Sequence, residues 1–307
     1  MFKGSIIVHG HTYSYERLIG AVGAGSLLGI KVTLAASVTE LLSVGWKASS
    51  IRHMFAIRSS SWRTDVGVTI MDTVHLSRIL ARVMSFGLAF VSFNWLRDLL
   101  TGATGIQFTL GNLPTVPQFL LGFFAYTFFD YWDHRLAHTR VLWPLHRFHH
   151  AATEFYVFTS QRVHPADISG IFVIVAPLVL LGISPDILFA LTVFRVYLGS
   201  IQHSKIQSDW GWFGRWFIYS PTGHRLHHLL LADDTQTTCN FGLIPLWDHL
   251  FGTWHGGGNQ QLPIGVNTPY RHGAWFFPDL WRDYCEFLGE CRSEVLRLCG
   301  NRFNLLK

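Results

Sequence analysis

Ten histidines in two tight blocks constrain this chain more than any other feature. The first block is His134-x3-His138, His146-x2-His149-His150 and His164, and the second is His203 with His224-x2-His227-His228. Neutral imidazole is the commonest metal-binding side chain. Structural zinc takes four ligands and catalytic zinc usually three, so ten histidines overfill one ordinary zinc site. Any fold open to this sequence has to bring the two blocks together. The count implies a nitrogen-rich site for two metals, with redox-active iron as the expected occupant and an oxygen-using enzyme as the expected class.

Spacing says how the rings would meet. Residues three and four apart share one face of a helix, so His146, His149 and His150 are expected to point three imidazoles the same way, as are His224, His227 and His228. His134 and His138 form a further i, i+4 pair. Asp130 lies one turn before His134, and Asp133 adjoins it. Such carboxylates suit accepting the N–H of a ligating ring and fixing its tautomer. The isolated histidines, His9, His11, His53, His75, His249, His255 and His272, read as solvated or core residues.

Only 14% of residues are charged and 49% are hydrophobic, with a mean hydropathy of +0.26. A typical soluble domain carries roughly 25% charged residues, so the composition predicts an integral membrane protein. The net charge of +5 could signal nucleic acid in a soluble chain. Here the basic residues fall between apolar stretches, so loops facing anionic lipid explain them better and no nucleic-acid partner is expected. Cys239, Cys285, Cys291 and Cys299 form no C-x2-C pair and read as reduced thiols. No secretory signal opens the chain, so insertion would rely on internal segments.

Four apolar regions stand out, at 18–42 (interrupted by Lys31 and Glu40), 79–96, 119–132 and 171–200. A single span needs about 20 apolar residues. The fourth region is too long for one span and is broken at Gly182-Ile183-Ser184-Pro185-Asp186, which is turn punctuation. It is expected to be a helical hairpin whose ends return to one side, since His164 precedes it and His203 follows it. The loops 47–63 and 135–162 are basic while 101–116 carries no charge, which places the histidines in the cytoplasm by the positive-inside rule. In 279–298, Leu280, Tyr284, Phe287, Leu288, Cys291, Val295 and Leu298 recur at helical spacing, predicting an amphipathic helix on the membrane or on the cytosolic cap. The expected organisation is an N-terminal membrane region at 1–116, a catalytic domain at 117–256 and a tail at 257–307. The fold class is all-α: a membrane helical bundle under a cytosolic histidine-rich cap that holds a dinuclear metal site.

The zinc-protease signature H-E-x2-H is absent, as are the paired Glu-x2-His motifs of di-iron carboxylate bundles. Spacing alone leaves di-zinc and di-manganese open.

The motifs and their order resemble the fatty acid hydroxylase/sterol desaturase superfamily of membrane di-iron oxygenases. They are Asp130-Tyr131-Trp132-Asp133-His134-Arg135-x2-His138, Leu145-His146-Arg147-Phe148-His149-His150, Arg162-Val163-His164-Pro165, Gln202-His203-Ser204 and Pro221-Thr222-Gly223-His224-Arg225-Leu226-His227-His228. Asn240-Phe241-Gly242 and Trp247-Asp248-x2-Phe251-Gly252-Thr253 complete the series. The last two elements and the Arg-x-His-Pro form are nearer the bacterial sterol-desaturase-like and alkylglycerol-monooxygenase-like branches. Lys205 stands where the family often has Asn after His-Ser, and Gln207 where some members have a further histidine.

The resemblance implies two Fe ions held by the ten histidines, with zinc as a possible substitute in a purified sample, and O2 as co-substrate. It implies hydroxylation of a C–H bond of a hydrophobic lipid, with desaturation on the same irons as the alternative. Thr159, Gln161 and Asn240 join Asp130 and Asp133 as candidate groups behind the ligands. Phe128, Phe129, Trp132, Phe148, Phe155 and Phe158 are candidates to line an apolar channel. No haem, iron–sulfur or nucleotide motif accompanies them, so a separate electron donor is expected. A cytochrome b5-like protein, a ferredoxin or a flavoprotein reductase would dock through Arg135, Arg140 or Arg147. A non-catalytic membrane metal-binding protein is the rival of another class. It would need an ionisable path through the membrane, for which these regions offer little beyond Lys31 and Glu40.

Overall fold

The break in the fourth apolar region shapes the centre of the molecule. The computed structural model describes residues 5–8, 11–56, 59–73, 90–106, 109–230, 239–256 and 262–304. A short antiparallel hairpin, β1 (Ser5–Val8) and β2 (His11–Ser14), leads into the long helix α1 (Tyr15–Ala48), followed by α2 (Ser50–Ala56), α3 (Ser60–Thr73) and α4 (Phe90–Thr104). The centre holds α5 (Thr115–Ala137), α6 (Trp143–His150), a π turn at Ile171–Val175 running into α7 (Ala176–Leu180), and α8 (Pro185–Gln202). Three short helices, α9 (Gly211–Trp216), α10 (Pro221–His227) and α11 (Pro245–Phe251), precede the terminal α12 (Phe277–Asn304). The predominantly helical fold agrees with the sequence. Residues 79–89 of the second apolar region, and His75, lie outside the described residues.

α7 and α8 are the two arms of the expected hairpin. Gly182 turns the chain at φ 72°, a left-handed conformation that a β-carbon would strain. Ser184 then caps α8, its Oγ accepting from the Ile187 N–H at 3.4 Å and donating to Gln118 Oε1 at 2.6 Å, with Pro185 in the first turn. The tip is tied to the chain just before α5, because the N–H groups of Leu110 and Gly111 donate to the carbonyls of Leu181 and Gly182 at 2.9 and 2.8 Å. Leu178, Val179, Leu188 and Leu191 from the two arms share one core with Tyr126 of α5. Both ends return to α6, where the His164 ring lies 6.3 Å from that of Phe148 and His203 meets His149 at 3.1 Å.

The N-terminal helices brace this centre. Thr39 of α1 bonds Tyr197 of α8 at 2.8 Å, and Ala36 packs with Val157 and Ile201. Glu40, an interruption in the apolar pattern, is fully buried and accepts from the Ser50 N–H, the Ser50 hydroxyl and the Lys205 N–H, each at 2.7 Å. Lys31 is exposed. Asp65 of α3 accepts from Arg162 Nε at 2.6 Å and from the Thr159 hydroxyl at 2.8 Å, both charged partners being fully buried. Arg162 Nη2 also donates to the Ser61 carbonyl at 2.7 Å. The arginine of the Arg-x-His-Pro motif is therefore a strut from the 157–161 turn to α3.

The amphipathic C-terminal helix packs on α3 and α6 through its first half. Leu280 is buried with Val68, Met71, Phe148 and Phe276. Arg147 of α6 donates through Nη2 to Asp283 at 2.8 Å and to Glu286 at 2.6 Å. Farther along, Leu288, Val295 and Leu298 remain exposed. All four cysteines are free. Among the described residues no helix is long and apolar enough to cross a membrane. The apolar run of α5, for example, ends in Asp130, Asp133 and Arg135.

Removing one partner of a buried ion pair leaves the other charge uncompensated, at a cost of about 3–5 kcal/mol, whereas an exposed pair contributes about 0–1 kcal/mol. Asp65→Ala is expected to lower unfolding free energy by about 3–5 kcal/mol, and Asp98→Ala, which removes the exposed partner of Arg97, by under about 1 kcal/mol. Denaturant titration of the two variants side by side checks the difference.

Candidate metal centre

Nine of the ten histidines converge where four helix ends meet. The last turn of α5 presents His134, with His138 as its C-cap. α6 presents His146, His149 and His150, His203 caps the end of α8, and α10 brings His224 and His227 with His228 at its C-cap. The rings sort into two groups, His134, His138, His146, His150 and His227 in one and His149, His203, His224 and His228 in the other. Within each group the ligand atoms lie within 4.8 Å of one another. Neither triplet stays whole. The i, i+4 members remain together, and His149 and His227 cross to the opposite group, because a residue three places along points about 60° away from the first. The groups are neighbours, with the His150 and His228 rings stacked at 4.1 Å.

The spacing fits metal ions. Nε2 atoms approach at 3.2 Å for His146 and His150, 3.1 Å for His149 and His203, and 3.1 Å for His203 and His224. Metal–imidazole bonds of about 2.0–2.1 Å put adjacent ligand nitrogens roughly 3 Å apart. His134 Nε2, His149 Nδ1 and both nitrogens of His138 and His228 are buried without a hydrogen-bond partner. Each unsatisfied buried group costs about 1–3 kcal/mol, and a bound cation would take one nitrogen of each ring. No carboxylate or thiol belongs to either group.

Main-chain carbonyls fix the tautomers. The Nδ1–H of His134 donates to the Phe241 carbonyl at 2.7 Å, that of His227 to the Cys239 carbonyl at 2.7 Å, and that of His203 to the Gly199 carbonyl at 2.6 Å. Each bond leaves Nε2 as the lone-pair atom. Burial is the largest influence on these rings, and neighbouring rings add repulsion. His134 and His203 are pushed down to about 4, and His138, His146, His149, His150, His224, His227 and His228 lie well below the ordinary histidine range. All nine are neutral near pH 7, the form a metal requires.

The Asn-Phe-Gly motif builds the loop that supplies two of those carbonyls. Asn240 sits at φ 57°, a conformation asparagine tolerates better than most residues. Its Oδ1 accepts from the Tyr219 hydroxyl and the His255 N–H, and its Nδ2 donates to the Gly223 and His255 carbonyls, all within 2.8–3.1 Å. The Phe241 ring packs on His134, His138 and His227. At Gly242 a β-carbon would lie 2.9 Å from Asp248 Oδ2. Asp248 accepts from the Phe241 and Gly242 N–H groups at 2.9 and 2.8 Å and from Thr253 at 2.7 Å. Trp143 and Phe155 complete the aromatic wall, Trp143 on His138 and His150 and Phe155 on His203 and His228.

The tenth histidine stands apart. His164 Nε2 donates to the Leu280 carbonyl at 2.9 Å, and its Nδ1 accepts from the Ala166 N–H at 3.1 Å. Both nitrogens serve the backbone, anchoring the start of the hairpin to α12. Asp130 pairs with Arg195, Thr159 with Asp65, and Gln161 with Thr33 and Ser160, while Oδ1 of Asp133 is buried without a partner. These side chains and Asn240 support the helices and loops around the site, and the accepting role expected of them falls to backbone carbonyls. Of the candidate channel aromatics, Phe155 touches the rings. Phe148 packs in the core beside His164, and Phe128 and Trp132 pack on Phe251. Phe128, Phe129 and Trp132 line an open groove of about 500 Å³ with Phe172 and Leu180. That groove is on the side of α5 away from His134, since Trp132 is two residues and about 200° distant. Arg147, expected on a docking face, is buried against α12. The isolated His249 donates to the Arg215 carbonyl at 3.0 Å and lies between Trp216 and Trp254, a packing role.

Residues 119–253 match the family described as fatty acid hydroxylase, in agreement with the resemblance carried by the motifs. No solved structure matches the chain.

Two outcomes follow from this geometry. His138→Gln is expected to lower bound metal by about one ion per chain, whereas His164→Gln keeps the metal and lowers the melting temperature, as elemental analysis and thermal unfolding would show. In acid the unfolded chain takes up protons below the ordinary histidine value near 6.5, while folded His134 and His203 resist until about 4. The unfolded state binds more protons across that window, so stability falls as pH is lowered from about 6.5 to 4. Thermal unfolding of the metal-free protein against pH measures the slope.

Proposed function

We propose that this chain, whose segment 119–253 belongs to the fatty acid hydroxylase family, is an O2-dependent di-iron oxygenase that hydroxylates a C–H bond of a lipid. The observation that carries the reading is the pair of adjacent, all-imidazole groups built from nine neutral histidines, six of them buried and His134, His146 and His149 half-buried. Imidazole suits iron, zinc, copper and nickel. The oxidative chemistry of the family favours iron over redox-inert zinc.

The chain's own part is positioning. His134, His138, His146, His150 and His227 would hold one ion, and His149, His203, His224 and His228 the other. The carbonyls of Gly199, Cys239 and Phe241 keep the rings turned inward, and Trp143, Phe155 and Phe241 shield them from water. The bound irons would supply reduction of O2 and oxidation of the C–H bond, which balances as R–H + O2 + 2 electrons + 2 protons giving R–OH + H2O. The electrons come from a separate donor, a cytochrome b5-like protein, a ferredoxin or a flavoprotein reductase. Arg140, exposed at 65% of its side chain, is a better docking contact than the buried Arg147.

A membrane location is supported by exposed apolar side chains. Val116, Leu120, Leu121 and Phe124 of α5, Phe172 of the π turn and Phe189 of α8 all lie open. Exposed apolar surface on this scale marks contact with lipid or protein. The basic loops favour a cytoplasmic position for the histidines.

Anaerobic purification followed by metal counting, then incubation with a lipid extract, a reductant and heavy-isotope O2, tests the reading. Two irons per chain and one labelled oxygen in a lipid alcohol are expected. An unlabelled alkene would reassign the reaction to desaturation, and two zincs without turnover would overturn the oxygenase.

A further inference from the structure

The outer face of α12 has the pattern of a helix that meets another helix. Trp281, Tyr284, Leu288, Cys291, Val295 and Leu298 follow one another at alternating steps of three and four residues, and Phe277 extends the series one step back. This is an unbroken heptad seam, with Trp281, Leu288 and Val295 at a and Tyr284, Cys291 and Leu298 at d. A period held over three heptads marks a coiled-coil partner.

The seam is open. Trp281 is 67% exposed, Leu288, Val295 and Leu298 are exposed with it, and Tyr284 and Cys291 are half-buried. The fold uses the neighbouring seam, one residue earlier and about 100° around the helix. There Leu280 is buried with Phe148 and Phe276, and Asp283 on Arg147.

Lipid is a poor match for the open seam. His164 bonds the Leu280 carbonyl at 2.9 Å, Arg147 pairs with Asp283 and Glu286, and Arg140 pairs with Glu290 at 2.7 Å. These contacts hold residues 280–290 at the histidine end of α5. The open apolar residues Val116, Leu120, Leu121 and Phe124 occupy the other end of α5, about 20 Å or more along its axis. α12 also carries five acids against four arginines, whereas a helix lying on anionic lipid is rich in Lys and Arg.

Side-chain size selects a second copy of the chain. Antiparallel pairing about a twofold axis sets a positions against d positions, so Trp281 meets Leu298 of the other copy, Tyr284 meets Val295 and Leu288 meets Cys291. Every layer then joins a larger side chain to a smaller one, which fills a helix interface without voids. Parallel pairing would set Trp281 on Trp281 and Cys291 on Cys291, leaving one layer overfull and another underfilled.

We propose that this chain forms a symmetric homodimer through the outer seam of α12, each copy of the helix antiparallel to the other. The pairing does not depend on the oxygenase reading.

Light scattering on the full-length protein in detergent, with detergent mass subtracted, tests the pairing over a micromolar concentration series. Two chains per particle are expected. Leu288→Glu places a carboxylate from each copy at the centre of the seam and raises the dissociation constant about tenfold or more, and Val295→Glu does the same. Both residues are exposed in the single chain, so neither change disturbs folding. Leu296→Glu, equally open but off the seam, leaves the dimer intact. Disulfide trapping reads the direction. Oxidising a mixture of Tyr284→Cys and Val295→Cys chains joins position 284 to position 295, as peptide masses would show, and neither variant alone joins like positions. The inference is overturned if wild type is a single chain across the series, or if Leu288→Glu and Val295→Glu leave the dimer intact. It is equally overturned if Leu296→Glu dissociates the dimer as they do, or if 284 joins 284 or 295 joins 295. A single chain whose Leu288→Glu variant loses retention on anionic lipid vesicles would overturn it in favour of a membrane surface.

Discussion

Nine neutral imidazoles packed into one buried volume are the constraint on which this structure depends. Without a cation the rings face one another with lone pairs and few donors, and several nitrogens of His134, His138, His149 and His228 have nothing to bond. Such a site costs free energy to assemble, and a bound metal would return it as folding free energy. The surrounding structure is correspondingly over-braced. Four helices are each held by something other than a metal: α8 by Thr39 on Tyr197, α6 by Arg147 on Asp283 and Glu286, α10 by Ser220, whose Oγ accepts from the Gly223 N–H, and α5 by the Phe241 carbonyl.

The bracing comes from three distant stretches of sequence. Asp65 and Glu40 arrive from the N-terminal helices, Asp248 from the segment after the last histidines, and Asp283 from the C-terminal helix. Each is a buried carboxylate with at least two donors, so each pins two elements at once. Buried charges contribute little net stability when fully paired, but they penalise any arrangement that separates the partners. That property matters here, because the ligand nitrogens tolerate little displacement before a ring leaves its group.

The clustering of nine histidines was legible in the sequence, because imidazoles at i, i+3 and i+4 are a side-chain signal with a helical period. The hairpin was legible too, since Gly182, Ser184 and Pro185 break an otherwise continuous apolar run. What supports the ligands was less so. The acceptors behind His134, His203 and His227 are main-chain carbonyls of Phe241, Gly199 and Cys239, and a carbonyl leaves no mark in a sequence. Asp130 and Asp133 carried the pattern expected of such acceptors, but Asp130 pairs with Arg195 and neither carboxylate bonds a ring of the cluster. His164 shared the residue type of its neighbours, yet the three-dimensional path of the chain turned both its nitrogens to backbone partners. The buried roles of Glu40 and Asp65 looked like interruptions in apolar or weakly patterned stretches, because a single acid carries no period to read.

The division of each triplet between two groups shows why the motif has its particular form. On one helix, i and i+4 differ by about 40° and can share a centre, while i+3 falls about 60° to the other side. A single H-x2-H-H segment therefore contributes two rings to one group and one to its neighbour. Two such segments, facing each other from α6 and α10, make complementary gifts: His146 and His150 with His227, and His149 with His224 and His228. His134 and His138 enlarge the first group and His203 the second. Two adjacent histidine groups are thus a direct consequence of helical pitch acting on a four-residue spacing. Beneath them the same α5 and α8 that deliver His134 and His203 also carry Asp130 and Arg195.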